Sequence, residues 1–268
     1  MNHGPSIPVL GFGTYSGPPK DRVIPALKIA IEAGYRLIDT AIIYQNEHFI
    51  GKALKEIDIP REELFITTKI WKDAMRFNAA RDSLEESLEN LGVEYVDLAL
   101  IHRPLSEFNL ETWHTLEDLH NEGLAKSIGV SNFIIKHLDP LLEDCKIVPA
   151  INQIEIHPFF YRRGLVEYCQ KHDIIVEAYS PLALAKKMDD ERLVSMAKKH
   201  GKTPSQVMLR WSLQHDILPI PRSQSKDHIL ENINVFDFEL TKEDMEEMDG
   251  WTEDFMAIAP DPDEPDLR

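Results

Sequence analysis

Asp39, Tyr44, Lys69 and His102 are the side chains of this sequence whose types suit proton donation coupled to a second event. A tyrosine phenol has a pKa near ~10 and is a poor acid or base at neutral pH. A lysine ammonium beside it favours the phenolate, and each unit of pKa shift corresponds to about 1.4 kcal/mol. Asp39 would hold Lys69 charged and in place, and His102 can hydrogen-bond a carbonyl oxygen and orient it. Taken singly, each has a plainer reading: a buried Lys can pair with an Asp for structure, and a His can cap a strand. The set is harder to explain that way, because Ser131, Asn132, Gln153, Tyr179, Ser180, Arg222 and Ser223 also stand where apolar runs end. No His-x-His pair and no Cys/His cluster suggests a metal. The Gly-x-Ser-x-Gly elbow of serine hydrolases is absent.

These side chains fall at regular points of a repeating pattern. A helix ends in Gly or a polar turn, an apolar run follows, and then a polar group appears. The apolar runs are Ile7–Thr14, Arg36–Thr40, Leu64–Lys69, Val96–His102, Ala125–Ser131, Ala150–Ile156, Ile174–Ser180 and Ile217–Pro221. Helical patterns separate them at Asp21–Ala33, Glu47–Glu56, Ala79–Leu91, Leu110–Glu122, Ile134–Leu142, Gly164–His172 and Asp190–Gln214, with stops at Gly34, Gly92, Gly123 and Gly201. Strands that alternate with helices imply parallel pairing and right-handed crossovers, and near-continuous apolar strands imply burial on both faces. Eight such units predict an α/β fold of the closed (β/α)8 TIM barrel type, a single domain over residues 1–268, with its chemistry at the carboxyl ends of the strands. An open doubly wound sheet would carry a Gly-rich phosphate turn after its first strand, and Thr14-Tyr15-Ser16-Gly17-Pro18-Pro19 is not one. The glycines Gly11 and Gly13 suit a strand approached closely by another backbone.

Composition agrees. A chain of 268 residues with 43% hydrophobic content can bury one large core. No run approaches the roughly 20 apolar residues of a membrane helix, and the N-terminus lacks the basic start and apolar stretch of a signal peptide. The two cysteines, Cys145 and Cys169, make no disulfide framework, so a reduced cytoplasmic setting and inert packing are expected. A formal net charge of −17 argues against nucleic acid and anionic membranes as partners. It also means that local cations must override the global field if an anion is to bind. The stretch 261–268, acidic and broken by prolines, reads as a mobile tail.

Gly34-Tyr35-Arg36-Leu37-Ile38-Asp39-Thr40-Ala41 with Tyr44-Gln45-Asn46-Glu47, then Leu100-Ile101-His102, Gly129-Val130-Ser131-Asn132-Phe133, Asn152-Gln153-Ile154-Glu155, Tyr179-Ser180-Pro181-Leu182 and Ile220-Pro221-Arg222-Ser223 with Glu231-Asn232 occur in order. In these motifs the chain resembles the aldo-keto reductases over nearly its whole length. The resemblance implies a catalytic tetrad of Asp39, Tyr44, Lys69 and His102, with Tyr44 as general acid and hydride from a nicotinamide reducing an aldehyde or ketone. It implies that Tyr179 stacks on the nicotinamide while Ser131, Asn132 and Gln153 hold its carboxamide. Ser180, Leu182, Arg222, Ser223, His228, Glu231 and Asn232 would make the remaining cofactor contacts, and Tyr15, Ile43, Trp71, Arg103 and Phe255 would wall the substrate pocket. An aromatic face suits ring stacking and amide side chains suit a carboxamide, which the residues support independently. Trp113 and Trp211, in helical patterns, read as core.

Three departures from the family pattern refine these expectations. Arg222 replaces a lysine and His228 an arginine at the positions that hold the cofactor's 2′-phosphate. Arg222 keeps the charge and His228 is only partly charged near neutral pH, so NADPH is preferred with weaker discrimination against NADH. Arg103 replaces a tryptophan directly after His102, which places a cation beside the carbonyl site and would favour acidic carbonyl substrates; its alternative is to face solvent or pair with an acid at the mouth. The short connections Leu105–Glu111 and Leu182–Asp190 suggest an open, permissive pocket. Methylglyoxal-type aldehydes, keto sugars and prostaglandin endoperoxides all remain open as substrates, and a monomer is expected. The competing reading is a nucleotide-binding regulatory subunit of the same fold, against which the intact tetrad argues.

Overall fold

A computed structural model describes residues 1–253 and 255–258; the tail at 261–268 lies outside them. Eight strands form one sheet in sequence order, each parallel to the next: β1 (Gly11–Gly13), β2 (Leu37–Asp39), β3 (Phe65–Ile70), β4 (Leu98–Ile101), β5 (Ile128–Ser131), β6 (Ile151–Glu155), β7 (Ile175–Tyr179) and β8 (Leu218–Pro219). The amide of Gly13 donates to Pro221 O at 3.1 Å and brings β1 against the segment that follows β8, so the sheet curls into a barrel. This contact explains the glycine: a Cβ on Gly13 would stand 2.9 Å from Ile220 O. The first strand is shorter than its apolar run because Pro8 has no N–H to give a ladder and Val9 is exposed.

Around the strands lie α1 (Val23–Glu32), α2 (Glu47–Lys55), α3 (Lys72–Arg76), α4 (Ala80–Leu91), α5 (Asn109–Asn121), α6 (Ile135–Asp144), α7 (Arg163–Lys171), α8 (Glu191–His200), α9 (Pro204–Gln214), α10 (Lys226–Ile233) and α11 (Lys242–Asp249). The long 190–214 pattern is two helices. Gly201, at φ 61°, ends α8 in the left-handed conformation, and Thr203 opens α9 with a capping box closed by Gln206. Three helices were not foreseen: the one-turn α3, and α10 and α11 after the last strand. The first turn of the expected 21–33 helix is a separate 3-10 turn, Lys20–Arg22.

Strand alternation sorts the interior. Outward-facing residues such as Ile38, Ile66, Ala99, Val130, Val176 and Ala178 pack under the helices together with the fully buried Trp113 and Trp211. Inward-facing Leu37, Phe65, Leu98, Leu100, Ile151, Leu218 and Ile220 fill the barrel as a second apolar cluster. This plug ends where Asp39, Lys69, Gln153 and Glu177 begin, on the same strands one or two inward positions farther along.

Candidate active site

Asp39 is the last residue of β2 and Lys69 lies near the end of β3. Lys69 Nζ reaches both Asp39 oxygens, at 2.7 and 2.6 Å, and Thr40 O at 2.8 Å. Both side chains are buried, Lys69 completely. Burial of such a pair is tolerable only because its hydrogen bonds are nearly all made. Tyr44 ends a 3-10 turn, Ile42–Tyr44, that follows β2 and is closed by Gln45 in the left-handed conformation. The turn is stapled by Asn46, fully buried, which accepts from Thr40 Oγ1 at 2.8 Å and donates to Thr14 O at 2.9 Å. The Lys69 ammonium lies 5.2 Å from the centre of the Tyr44 ring.

His102 follows β4. Its ring is edge-on to Tyr44 at 5.6 Å and to Trp71 at 5.0 Å between centroids. Asn132, just past β5, sits at φ 64°, a conformation Asn tolerates better than most residues. From there its amide donates to His102 O at 2.9 Å and accepts from Tyr179 Oη at 2.8 Å. Ser131 Oγ donates to Gln153 O at 2.9 Å, and Gln153 Nε2 donates to Asp39 Oδ2 at 2.8 Å. The strand ends are therefore linked by hydrogen bonds from β2 round to β7.

Electrostatics set the protonation states. Burial drives the Tyr44 phenol above its ordinary pKa, and the charge and hydrogen bond of Lys69 oppose that rise without reversing it. The expectation of a lowered phenol is corrected here: desolvation of the phenolate outweighs the ammonium, so Tyr44 holds its proton at neutral pH. Burial also works against the Lys69 charge, but Asp39, Tyr44 and Glu177 outweigh it and the ammonium is strengthened. His102 is pushed well below its usual value by burial and by the charges of Lys69 and Arg103, so its imidazole is neutral. Burial and the Glu155 charge raise the Tyr179 phenol.

A cleft of about 1060 Å³ opens over this group. Asp39, Tyr44, His102, Ser131, Asn132, Gln153, Tyr179, Ser180 and Leu182 line it, with Arg222, Ser223, His228 and Asn232 toward the end formed by the last strand and α10. Tyr15, Ile43, Trp71 and Arg103 line it as well. Lys69 lies behind Asp39 and Tyr44 rather than on the surface. Two expected residues stand away from the cleft. Glu231 accepts from Thr203 Oγ1 at 2.6 Å and ties α10 to α9. Phe255 packs on His157 and under Lys187, and Ala257 and Ile258 face the cleft in its place.

Several lining residues gave no signal in sequence. The fully buried side of this wall is Glu155, which accepts from the amides of Ala257 and Ile258, while Lys186 Nζ donates to Ala257 O at 2.9 Å. These bonds hold Ala257 and Ile258 against the cleft wall. Leu184, Ala185 and Met188 of the segment after β7 complete that side, and Ser180, Ala183, Leu184 and Ala185 all have positive φ, backbone strain gathered beside the cleft. Lys20, held by Ser16 O at 2.7 Å, adds a cation just before the expected helix.

Residues 9–253 match a sequence profile described as the aldo/keto reductase family. The 9,11-endoperoxide prostaglandin H2 reductase of Trypanosoma cruzi is 43% identical, over 98% of this chain and 94% of its own. The glyoxal reductase of Bacillus subtilis is 42% identical, over 98% and 95%. Among solved structures, the Bombyx mori aldo-keto reductase in complex with NADP superposes with a TM-score of 0.90 at 37% identity, over 95% of this chain and 92% of that one. With the ordered motifs, the barrel and these likenesses in agreement, the chain belongs to the aldo/keto reductase family.

Proposed function

We propose that the protein is an NADPH-dependent reductase of aldehydes and ketones in which Tyr44 is the general acid. The observation that carries this reading is a protonated phenol backed by a buried Lys69–Asp39 pair, beside a neutral His102, at the floor of a long cleft. A bound nicotinamide dinucleotide supplies the hydride. The residues present fit such a group. The Tyr179 ring and the Asn132 and Gln153 amides offer a face and partners for a nicotinamide carboxamide, and the cleft is at the upper end of the volumes that hold small ligands. Arg222 makes no ion pair or hydrogen bond among the described residues, which leaves a guanidinium available to a phosphate in a protein of net charge −17. Ser223, in the turn before α10, adds a hydroxyl.

The neutral imidazole of His102 donates a hydrogen bond to the carbonyl oxygen and orients it. As that oxygen gains negative charge, the Tyr44 hydroxyl transfers its proton to it. The Lys69 ammonium then faces the phenolate, and Asp39 keeps the ammonium charged and aimed. Arg103 deepens the substrate reading. It lines the cleft next to His102, and its charge is felt by both His102 and Tyr179. Carbonyl compounds that carry a carboxylate, such as semialdehyde or keto acids, are the class such a cation favours. Location in the cytoplasm and a monomeric state belong to the same proposal; among the described residues no helix is long and apolar enough to cross a membrane.

The test is the loss of reduced-nicotinamide absorbance with a neutral aromatic aldehyde, a dicarbonyl and a semialdehyde acid, using NADPH and NADH. Tyr44→Phe should lower kcat by about 10²–10⁴-fold, the range for general acid catalysis. NADPH should give the higher kcat/KM. Tight NADPH binding with no turnover on any of the three carbonyls would favour the regulatory reading.

A further inference from the structure

Beneath the site lies a second carboxylate that the chemistry above does not use. Glu177, on β7, points into the barrel and is fully buried. Its Oε2 accepts from Gln153 Nε2 at 2.5 Å, and the same nitrogen donates to Asp39 Oδ2 at 2.8 Å. One amide thus bridges two carboxylates. Glu177 Oε1 has no hydrogen-bond partner among the described residues.

The surroundings of Glu177 hold one cation for two acids. From β2 it faces Asp39, from β3 Lys69 and from β6 Gln153; β8 brings its register partner Leu218, which is apolar. On the outer side of β7, Val176 and Ala178 pack in the apolar layer with α7 residues such as Leu165 and Cys169. Lys69 is already gripped by both oxygens of Asp39. A second ionised carboxylate here would be a buried charge with half an amide as its compensation. Retaining its proton is the less costly state. Burial and the Asp39 charge accordingly push Glu177 up, to about 8.

We propose that Glu177 is a positioning residue kept neutral so that the field of Lys69 acts on Tyr44, and that its ionisation sets the alkaline limb of carbonyl reduction. The proposal rests on the reductase reading given above. With Glu177 protonated, the Asp39–Lys69–Glu177 group is uncharged, and a phenolate at Tyr44 is stabilised by the ammonium. With Glu177 ionised the group carries a net negative charge, Tyr44 becomes a weaker acid, and proton donation slows. The sign is fixed: activity is present below the Glu177 pKa and is lost as pH rises through it. The nearby groups do not imitate this limb, since Tyr44 and Lys69 titrate higher than usual and His102 lower.

The experiment compares kcat at pH 7 and pH 9 for one neutral aldehyde at saturating NADPH. A group titrating near 8 predicts a fall of about tenfold in the native enzyme, and of less than about twofold in Glu177→Gln. An equal fall in both, or no fall in the native enzyme, overturns the proposal. A readout independent of turnover keeps this separate from the reductase assignment. The native protein should show an infrared carboxylic-acid C=O band at neutral pH that fades toward pH 9 and is missing in Glu177→Gln. Should that variant not fold, the band is followed in Glu47→Gln, which removes the other deeply buried glutamate with a raised pKa. A band that does not titrate there overturns the proposal equally.

Discussion

The lower and upper interiors of this barrel are built from the same strands, and they obey opposite rules. Leu37 precedes Asp39 on β2, Phe65 precedes Lys69 on β3, Leu98 and Leu100 on β4 precede His102 just past it, and Ile151 precedes Gln153 on β6. The lower positions are apolar, interchangeable in kind and satisfied by packing alone. The upper ones, the His102 imidazole apart, are ionised or hydrogen-bonded and tied to named partners across the barrel, as Gln153 is tied to both Asp39 and Glu177. A few residues of rise along each strand therefore separate a region that supplies stability from one that consumes it. The plug excludes water from below, and that exclusion makes the Lys69–Asp39 pair and the Tyr44 phenol so sensitive to each other.

Lys69→Met breaks the comparison from above and should have the largest effect. It removes the ammonium that grips Asp39 and leaves Asp39 buried without that partner, which costs about 3–5 kcal/mol. A drop in Tm of the order of ~10 °C is expected in a scanning calorimeter. The loss of kcat with the aromatic aldehyde should lie in the same ~10²–10⁴-fold range as for Tyr44→Phe. Retained activity would show that the phenol does not depend on the ammonium.

Leu98→Ala tests the lower region. Leu98 is fully buried in the plug, and truncation of such a leucine costs about 2–5 kcal/mol. Denaturant unfolding should show this loss, while kcat per folded molecule at 25 °C changes by less than about threefold. A large kcat effect with little change in stability would erase the distinction between the two layers.

Arg103→Glu is the mildest and sharpens the upper region alone. Stability should stay within about 0.5 kcal/mol, as for substitutions outside the core. The ratio of kcat/KM for a semialdehyde acid to that for a neutral aldehyde should fall by about tenfold or more, which corresponds to ~1.4 kcal/mol. An equal effect on both aldehydes would remove Arg103 from substrate selection.

Much of this architecture was legible in the chain. The alternation of apolar runs and helical patterns gave eight parallel strands in order, because strands buried on both faces must be continuously apolar and their crossovers must be helical. Asp39, Tyr44, Lys69 and His102 were conspicuous because a polar residue at the end of such a run has no structural need to be there. Trp113 and Trp211 were placed in the core by their helical spacing. Less legible were the short helices α3 and α10, whose one- or two-turn length leaves too few residues for a period to show. Ala257 and Ile258 were missed in favour of Phe255, since an aromatic residue looks like a wall until the backbone shows which way it faces. Lys20 precedes the Asp21–Ala33 helical pattern and drew no reading, since only the fold brings it to the cleft.

By itself, then, the amino-acid order determined the barrel, the ring of polar strand ends and the kind of chemistry they suit, because those follow from periodicities of two and about 3.6 residues and from side-chain type. Only the tertiary structure decided protonation and proximity. That Tyr44 keeps its proton, that His102 is neutral, that one amide of Gln153 joins two carboxylates and that Glu155 holds the amides of Ala257 and Ile258 all depend on burial and on pairs distant in sequence. Residues 39 and 177 are far apart along the chain, and no local pattern encodes that a single ammonium must serve both.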